Sequence, residues 1–399
     1  MTTSYSTDIV IFGGGIAGLW LLNRARDEGY QAILLETNAL GGGQTLASQG
    51  IIHGGLKYAL GGTLTGAANV IADMPAYWRR CLNGSGDVDL RACKVLSESY
   101  YMWSDSGLRS KLKTFLGSKS LQGRVEAVAA EKYPGFFKAS TVSGSLYELP
   151  DFVVDTASLL EVLANKQRGQ LFQIGADDYL FNRDNAGKID SVTITSQGQE
   201  IQINTQRFIF SAGEGNQGLI EKADLQTAKS QIRPLKMTYL KKKDLPPVFV
   251  HCIGDSFSLT PKLTITSHVD SDGLAVWYLG GELAESGVNR NDDDQIETAK
   301  ALIQDLFPWL DFSAGEWHCF TINRAEADIN NNYRPEDAYF VEEDNILVAW
   351  PTKLTLTPSL ADKVMAHFAR ISLCPSAQSN TKEMSNILPS AELADAYWE

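Results

Sequence analysis

The most constraining feature of this chain lies within its first forty residues. Asp8 to Phe12 (DIVIF) is a short, apolar, β-branched run that reads as a buried strand. Gly13-x-Gly15-x-x-Gly18 follows at once, and Ile16 to Glu28 reads as a helix, with Leu19, Leu22 and Ala25 near one face and Gly29 as its end. Gln31 to Glu36 (QAILLE) reads as a second strand. A β-α-β unit of this kind commits the N-terminal part to a parallel sheet. Gly13 permits the turn, Gly15 lets the backbone approach a pyrophosphate, and Gly18 lets helix and strand pack closely. The helix start, at Ile16 and Ala17, offers free N–H groups and a partial positive charge to phosphates. Glu36, eighteen positions after Gly18, is spaced to accept hydrogen bonds from an adenosine ribose. The unit predicts a dinucleotide grip, and taken alone it would serve NAD as readily as FAD.

The remaining composition excludes several function classes. The 399 residues suffice for two domains or one large interleaved unit. A net charge of −13 argues against a nucleic-acid binder, which needs a basic face. The one basic run, Lys241-Lys242-Lys243, reads as the end of a strand. Five scattered cysteines without a Cys-x-x-Cys pair suggest neither a disulfide framework nor a zinc site. The histidines lack metal-ligand spacing, and no Gly-x-Ser-x-Gly elbow marks a hydrolase. No run reaches the roughly 18 apolar residues of a spanning helix. The cytoplasm is the expected compartment, with peripheral contact at the inner membrane face left open.

Further along, residues 37–65 are rich in Gly, Ser and Thr and read as a ligand loop rather than a linker. Helices are predicted over Ala67–Arg80, Asp151–Gln167 and Gln295–Leu306. Strands are predicted at Leu171–Ile174, Ile189–Thr195, Glu200–Asn204 and Arg207–Phe210, the last leading into Ser211-Ala212-Gly213. The runs Leu235–Leu240, Val248–Cys252, Leu263–Ser267 and Leu274–Leu279 suggest an antiparallel sheet. Ile346–Trp350 reads as a strand and Pro358–Ile371 as a helix, with Thr357 as its N-cap. Residues 375–399 read as a loosely attached tail.

Three segments together resemble one family. Gly13–Gly18 with Glu36 matches its nucleotide fingerprint, Ser48 to Tyr58 (SQGIIHGGLKY) resembles an Ile/Val-His-Gly-Gly-Leu-Arg-Tyr pattern, and Trp350 to Thr355 (WPTKLT) resembles a Gly-Gly-Lys-Leu-Thr pattern before the final helix. On these the chain resembles the D-amino-acid-oxidase-type FAD-dependent oxidoreductases. Within that superfamily it is most similar to FAD-dependent glycerol-3-phosphate dehydrogenases and oxidases, then to L-2-hydroxyglutarate dehydrogenases. Lys57 stands where arginine is usual, Trp350-Pro351-Thr352 replaces a more glycine-rich turn, and no room is expected for the C-terminal helical domain of the glycerol-3-phosphate dehydrogenases.

The resemblance implies an α/β fold in which a Rossmann-like FAD-binding domain (1–85, 150–225 and 325–375) interleaves with an α+β substrate domain built on an antiparallel sheet (86–149 and 226–324), followed by a tail (376–399). It implies FAD as cofactor, contacted by Gly13, Gly15, Ile16, Ala17, Gly18, Glu36, Thr45, Ser48, Gln49, Gly50, Ala212, Gly213, Lys353, Leu354 and Thr355. The expected chemistry is hydride transfer from a small hydroxylated anion, a 2-hydroxy acid or polyol phosphate, to flavin N5, giving a ketone. His53, Arg324, Arg334 and Lys353 are the implied catalytic residues, and Lys57 and Tyr58 the implied substrate contacts. Histidine suits proton transfer near neutrality, and the arginine fork suits carboxylate or phosphate. His251, His268 and His318 read as structural or exposed, and His367 as facing out of its helix. The electron acceptor stays open among oxygen, a quinone and a flavoprotein. The alternatives are an FAD-dependent amine or amino-acid oxidase and a flavin-binding protein without turnover.

Overall fold

The computed structural model describes residues 3–55, 66–105, 125–140, 144–253, 261–329, 335–376 and 381–399. Two large sheets organise them, with a small three-stranded sheet of Ile51–Ile52, Phe152–Val154 and Val95–Ser97 beside them. In the first, strand Thr3–Phe12 lies between Ala32–Glu36 and Gln199–Phe210 and runs parallel to both. Leu171–Gln173 extends the sheet beyond Ala32–Glu36, and Ile346–Trp350 pairs in parallel with the end of Gln199–Phe210. Phe12 is aligned with both Leu35 and Phe210, so three parallel strands end at one edge. Ile9, Val10 and Ile11 are fully buried because both sheet faces are covered. Helices Ile16–Asp27, Thr156–Asn165 and Thr357–Arg370 pack on one face. An aromatic cluster fills the other, with Phe12 edge-on to Phe210 at 5.6 Å and to Phe181 at 5.5 Å.

The second sheet is formed by eight strands among the described residues. Its longest pair joins Ser230–Lys242 to Glu316–Ala327, antiparallel from Ser230 opposite Ala327 to Lys241 opposite Glu316. Ala275–Gly280, Leu263–Val269, Val250–Ile253, Tyr100–Asp105, Gly144–Leu149 and Glu126–Ala127 continue it in that order. The pairing of Val250–Ile253 with Tyr100–Asp105 is parallel, whereas the other pairs of this sheet are antiparallel. Helix Asp292–Leu306, capped by Asn291 accepting from the Asp294 N–H at 2.8 Å, covers one face over Trp277 and Phe307.

Several expectations are corrected. Asp151–Gln167 is not one helix: Phe152–Val154 is a strand, and Asp155 accepts from the Ser158 N–H at 2.9 Å to start a helix at Thr156. Two β-branched residues before a capping aspartate explain the break. The predicted runs Glu200–Asn204 and Arg207–Phe210 are one strand. Thr357 does not cap its helix. The chain enters through a 3₁₀ turn at Leu354–Leu356, and the Thr357 hydroxyl is buried with no hydrogen-bond partner among the described residues. His367 does not face out: it is 4% exposed, with Nε2 3.1 Å from Glu342 and Nδ1 2.9 Å from Arg370.

The C-terminal segment is not loosely attached. The Gln173 N–H donates to the Pro389 carbonyl and the Leu40 N–H to the Glu392 carbonyl, each at 2.8 Å, and Ala394 returns a bond to Leu40. Met384, Leu388 and Trp398 are buried. Among the described residues, no helix is long and apolar enough to cross a membrane.

Candidate active site

A cleft of about 1140 Å³ opens between the two sheets. That exceeds the roughly 300–1,000 Å³ of a drug-sized pocket and suits an extended ligand. Its floor is the edge where the three parallel strands end. Gly13 adopts φ 102°, donates its N–H to Leu35, and lies so close to the next strand exit that a Cβ there would sit 2.4 Å from Ala212 Cα. The helix begins at Ile16, whose N–H donates to Thr45 Oγ1 at 3.0 Å, while the next amides of that first turn have no intrahelical acceptor by helix geometry. Glu36 accepts from the Gly14 N–H at 2.5 Å and from the Asn38 N–H at 2.8 Å, and its carboxylate still has acceptor capacity. Gly13, Gly15, Ile16, Ala17, Glu36, Ala212 and Gly213 all line the cleft.

Gly18 lies behind this wall. A Cβ on it would meet the Gly13 carbonyl at 1.9 Å, so its contribution is close packing of helix on turn.

The segment from Gln44 to Gly50 bridges to the second sheet. Gln44 accepts from the Ala325 N–H at 3.1 Å, and Gln49 donates to the carbonyls of Tyr278 at 2.9 Å and Thr264 at 3.2 Å. Thr45, Ser48, Gln49 and Gly50 line the cleft. Gly50, at φ 69°, lies where a Cβ would strike the Val154 carbonyl at 2.1 Å.

Arg324 reaches the cleft from strand Glu316–Ala327, its Nε donating to the Arg233 carbonyl at 3.3 Å. Lys353 and Leu354 reach it from the loop after Ile346–Trp350. Thr355 is buried behind that loop and donates from Oγ1 to the His53 carbonyl at 3.2 Å. His53 itself is half-buried and follows two residues after Ile51, where this segment lines the cleft. Lys57, Tyr58 and Arg334 lie outside the described residues.

Two features around these loops are electrostatic or strained. Asp151 is 3% exposed and accepts from the Gly54 N–H at 2.9 Å, next to His53. Burial pushes its carboxyl up to about 7, against the opposing effect of that N–H. Thr352 adopts φ 60°, a left-handed conformation that costs a β-branched residue about 1–3 kcal/mol. That cost accounts physically for glycine in the corresponding turn of the pattern this segment resembles.

Sequence reasoning missed several cleft residues. Leu235, Met237 and Ile322 form apolar wall from the second sheet, and Tyr397 enters from the C-terminal segment. At the far end Lys222 pairs with Asp177 at 3.4 Å and sits 4.2 Å over the Tyr179 ring. Alternation along Leu235–Leu240 offered a signal for Leu235 and Met237; no local pattern marks Ile322 or Tyr397. His268, buried against Trp398, has its imidazole pushed down to about 3 by burial and stays neutral as a structural residue.

The glycine cradle, the open first-turn amides beside Glu36 and a cleft spanning both sheets fit an extended dinucleotide. The comparisons with known proteins agree. Residues 8–347 match the model of the FAD dependent oxidoreductase (DAO) family. The chain is 40% identical to the probable FAD-dependent oxidoreductase PA4991 of Pseudomonas aeruginosa, covering all of this chain and 99% of that one. The crystal structure of that protein superposes with a TM-score of 0.85 over 100% of this chain and 99% of the other, at 36% identity. Glycine oxidase from Geobacillus kaustophilus shares the fold, with a TM-score of 0.67 at 13% identity over 95% of this chain and 97% of that chain. L-α-glycerophosphate oxidase from Mycoplasma pneumoniae, solved with FAD bound, does so with a TM-score of 0.64 at 13% identity over 94% and 98% of the two chains. The fold and cleft are those of a two-sheet flavoprotein oxidoreductase. The chain belongs to the DAO family of FAD-dependent oxidoreductases.

Proposed function

We propose that this enzyme oxidises a small hydroxylated anion, a 2-hydroxy acid or a polyol phosphate, to the corresponding ketone. The observation that carries the reading is the pair of cations, Arg324 and Lys353, that line one cleft from different walls. An arginine fork binds carboxylate or phosphate in a fixed orientation, and a lysine adds a mobile second charge. Bound FAD supplies the hydride acceptor. Leu235, Met237 and Ile322 add apolar wall to the same cleft, and water displaced from that wall by a bound substrate would strengthen its contacts with both cations.

His53 is the proposed proton acceptor for the substrate hydroxyl. Its backbone carbonyl accepts from Thr355, two residues beyond Lys353, which ties the histidine loop to the lysine loop. Lys57, Tyr58 and Arg334 belong to the same proposal as further contacts of the substrate anion. Gly13, Ala17 and Glu36 are proposed to hold the adenosine diphosphate half, and Ser48, Gln49, Lys353 and Leu354 the flavin half.

The test is a binding titration without turnover. Pyruvate and dihydroxyacetone phosphate, as product-type ligands, are added to the oxidised holoenzyme and followed by the change in the flavin spectrum. One of them is expected to bind, and Arg324→Gln and Lys353→Met each to weaken it by about tenfold, as for a lost charge-assisted hydrogen bond. A neutral ketone binding equally well, or variants binding the anions as the native protein does, would remove the basis for an anionic substrate.

A further inference from the structure

We infer that the C-terminal segment forms the closing wall of the cofactor cleft and that Tyr397 holds the cofactor in place. The inference rests on FAD as the family cofactor, and it concerns residues outside the stretch 8–347 that matches the family model.

Tyr397 is half-buried and lines the cleft. Its ring lies flat on Phe320, with centroids 3.9 Å apart and planes 2° from parallel. Its hydroxyl donates to the Gly42 carbonyl at 3.1 Å. One side chain therefore joins the glycine loop of the first sheet to strand Glu316–Ala327 of the second, beside the cleft between them. Its neighbours fix it from both directions. Ala394 and Glu392 exchange backbone bonds with Leu40 on the glycine-loop side. Trp398 packs against Tyr278 at 5.3 Å and His268 at 4.3 Å on the other, and Glu399 accepts from the Ser271 N–H at 2.9 Å.

An aromatic ring held by stacking on one face and by a hydroxyl bond at its edge is a rigid wall with little entropy left to lose. A bound dinucleotide passing between the two sheets is retained by such a wall. Its release then requires the Phe320 stack and the Gly42 bond to open first, so Tyr397 acts on release more than on chemistry.

The experiment uses the purified holoenzyme and measures FAD release by the recovery of flavin fluorescence on dilution, together with the FAD dissociation constant of the reconstituted protein. Tyr397→Ala is expected to raise both by about tenfold, the loss of one aromatic contact. Tyr397→Phe keeps the stacked ring and is expected to stay within about threefold of native, the share of a single neutral hydrogen bond. Phe320→Leu removes the supporting ring from the opposite strand and is expected to speed release as Tyr397→Ala does. The melting temperature of the apoprotein separates retention from plain stabilisation. Faster release with an apoprotein that melts near the native temperature supports the inference. Native release rates in both Tyr397→Ala and Phe320→Leu overturn it, while leaving FAD as cofactor intact. A native protein that carries no FAD overturns the cofactor reading itself.

Discussion

Asp151→Asn provides a demanding test of how the site is built. Asp151 is 3% exposed and accepts from the Gly54 N–H at 2.9 Å. Burial carries the carboxyl up to about 7 in the folded protein, against about 3.9 in an unfolded chain. The folded state therefore holds a proton that the unfolded state has already lost between about pH 4 and pH 7. Stability contributed by this group is present below about pH 4, falls as pH rises to about 7, and is level above that. Three units at about 1.4 kcal/mol each give a loss of at most about 4 kcal/mol. Asparagine accepts the same N–H through its amide oxygen without titrating. The variant should match the native protein within about 1 kcal/mol near pH 4 and exceed it by up to about 4 kcal/mol at pH 8. Urea unfolding of both apoproteins at pH 4.5, 6 and 8, each at the same ionic strength, reads the difference. A native-to-variant gap that is flat with pH, or that closes as pH rises, would refute the reasoning.

Gly13→Ala places a methyl 2.4 Å from Ala212 Cα at φ 102°, so it should cost roughly 2–4 kcal/mol and yield protein depleted in flavin, read from the visible-to-ultraviolet absorbance ratio. Thr352→Gly relieves the left-handed strain at φ 60° and should raise the apoprotein melting temperature by about 2 °C after glycine's own entropy cost; a fall in that temperature would show the conformation is not strained. His53→Gln should slow anaerobic flavin reduction by about 10²–10⁴-fold with little change in product-ligand affinity, and an unchanged reduction rate would exclude His53 as the proton acceptor.

The parts of this protein that could be read from sequence are those set by short-range chemistry. Asp8 to Glu36 needed only a β-branched run, three glycines and an acid at fixed spacing, and the turn, helix and second strand fall where that pattern puts them. Ile346–Trp350 was equally clear because it is buried on both faces. Strand Glu316–Ala327 was missed because it is mostly half-exposed and polar, and its identity is fixed by pairing with Ser230–Lys242 some ninety residues earlier. Thr357 looked like a cap because Thr-Pro usually is one, but the preceding 3₁₀ turn already serves that end. His367 looked exposed because its partner Glu342 comes from another element. Tyr397 carried no local signal at all, since its position depends on Phe320 and Gly42.

The central claim is that Arg324 and Lys353 make this cleft a site for a hydroxylated anion. The direct measurement is anaerobic mixing of the holoenzyme with 2-hydroxy acids, polyol phosphates and amino acids, following loss of the visible flavin band. Bleaching by a 2-hydroxy acid or a polyol phosphate, slowed in Arg324→Gln and Lys353→Met, is the predicted result. Bleaching by amino acids alone, at rates both variants leave unchanged, would contradict it.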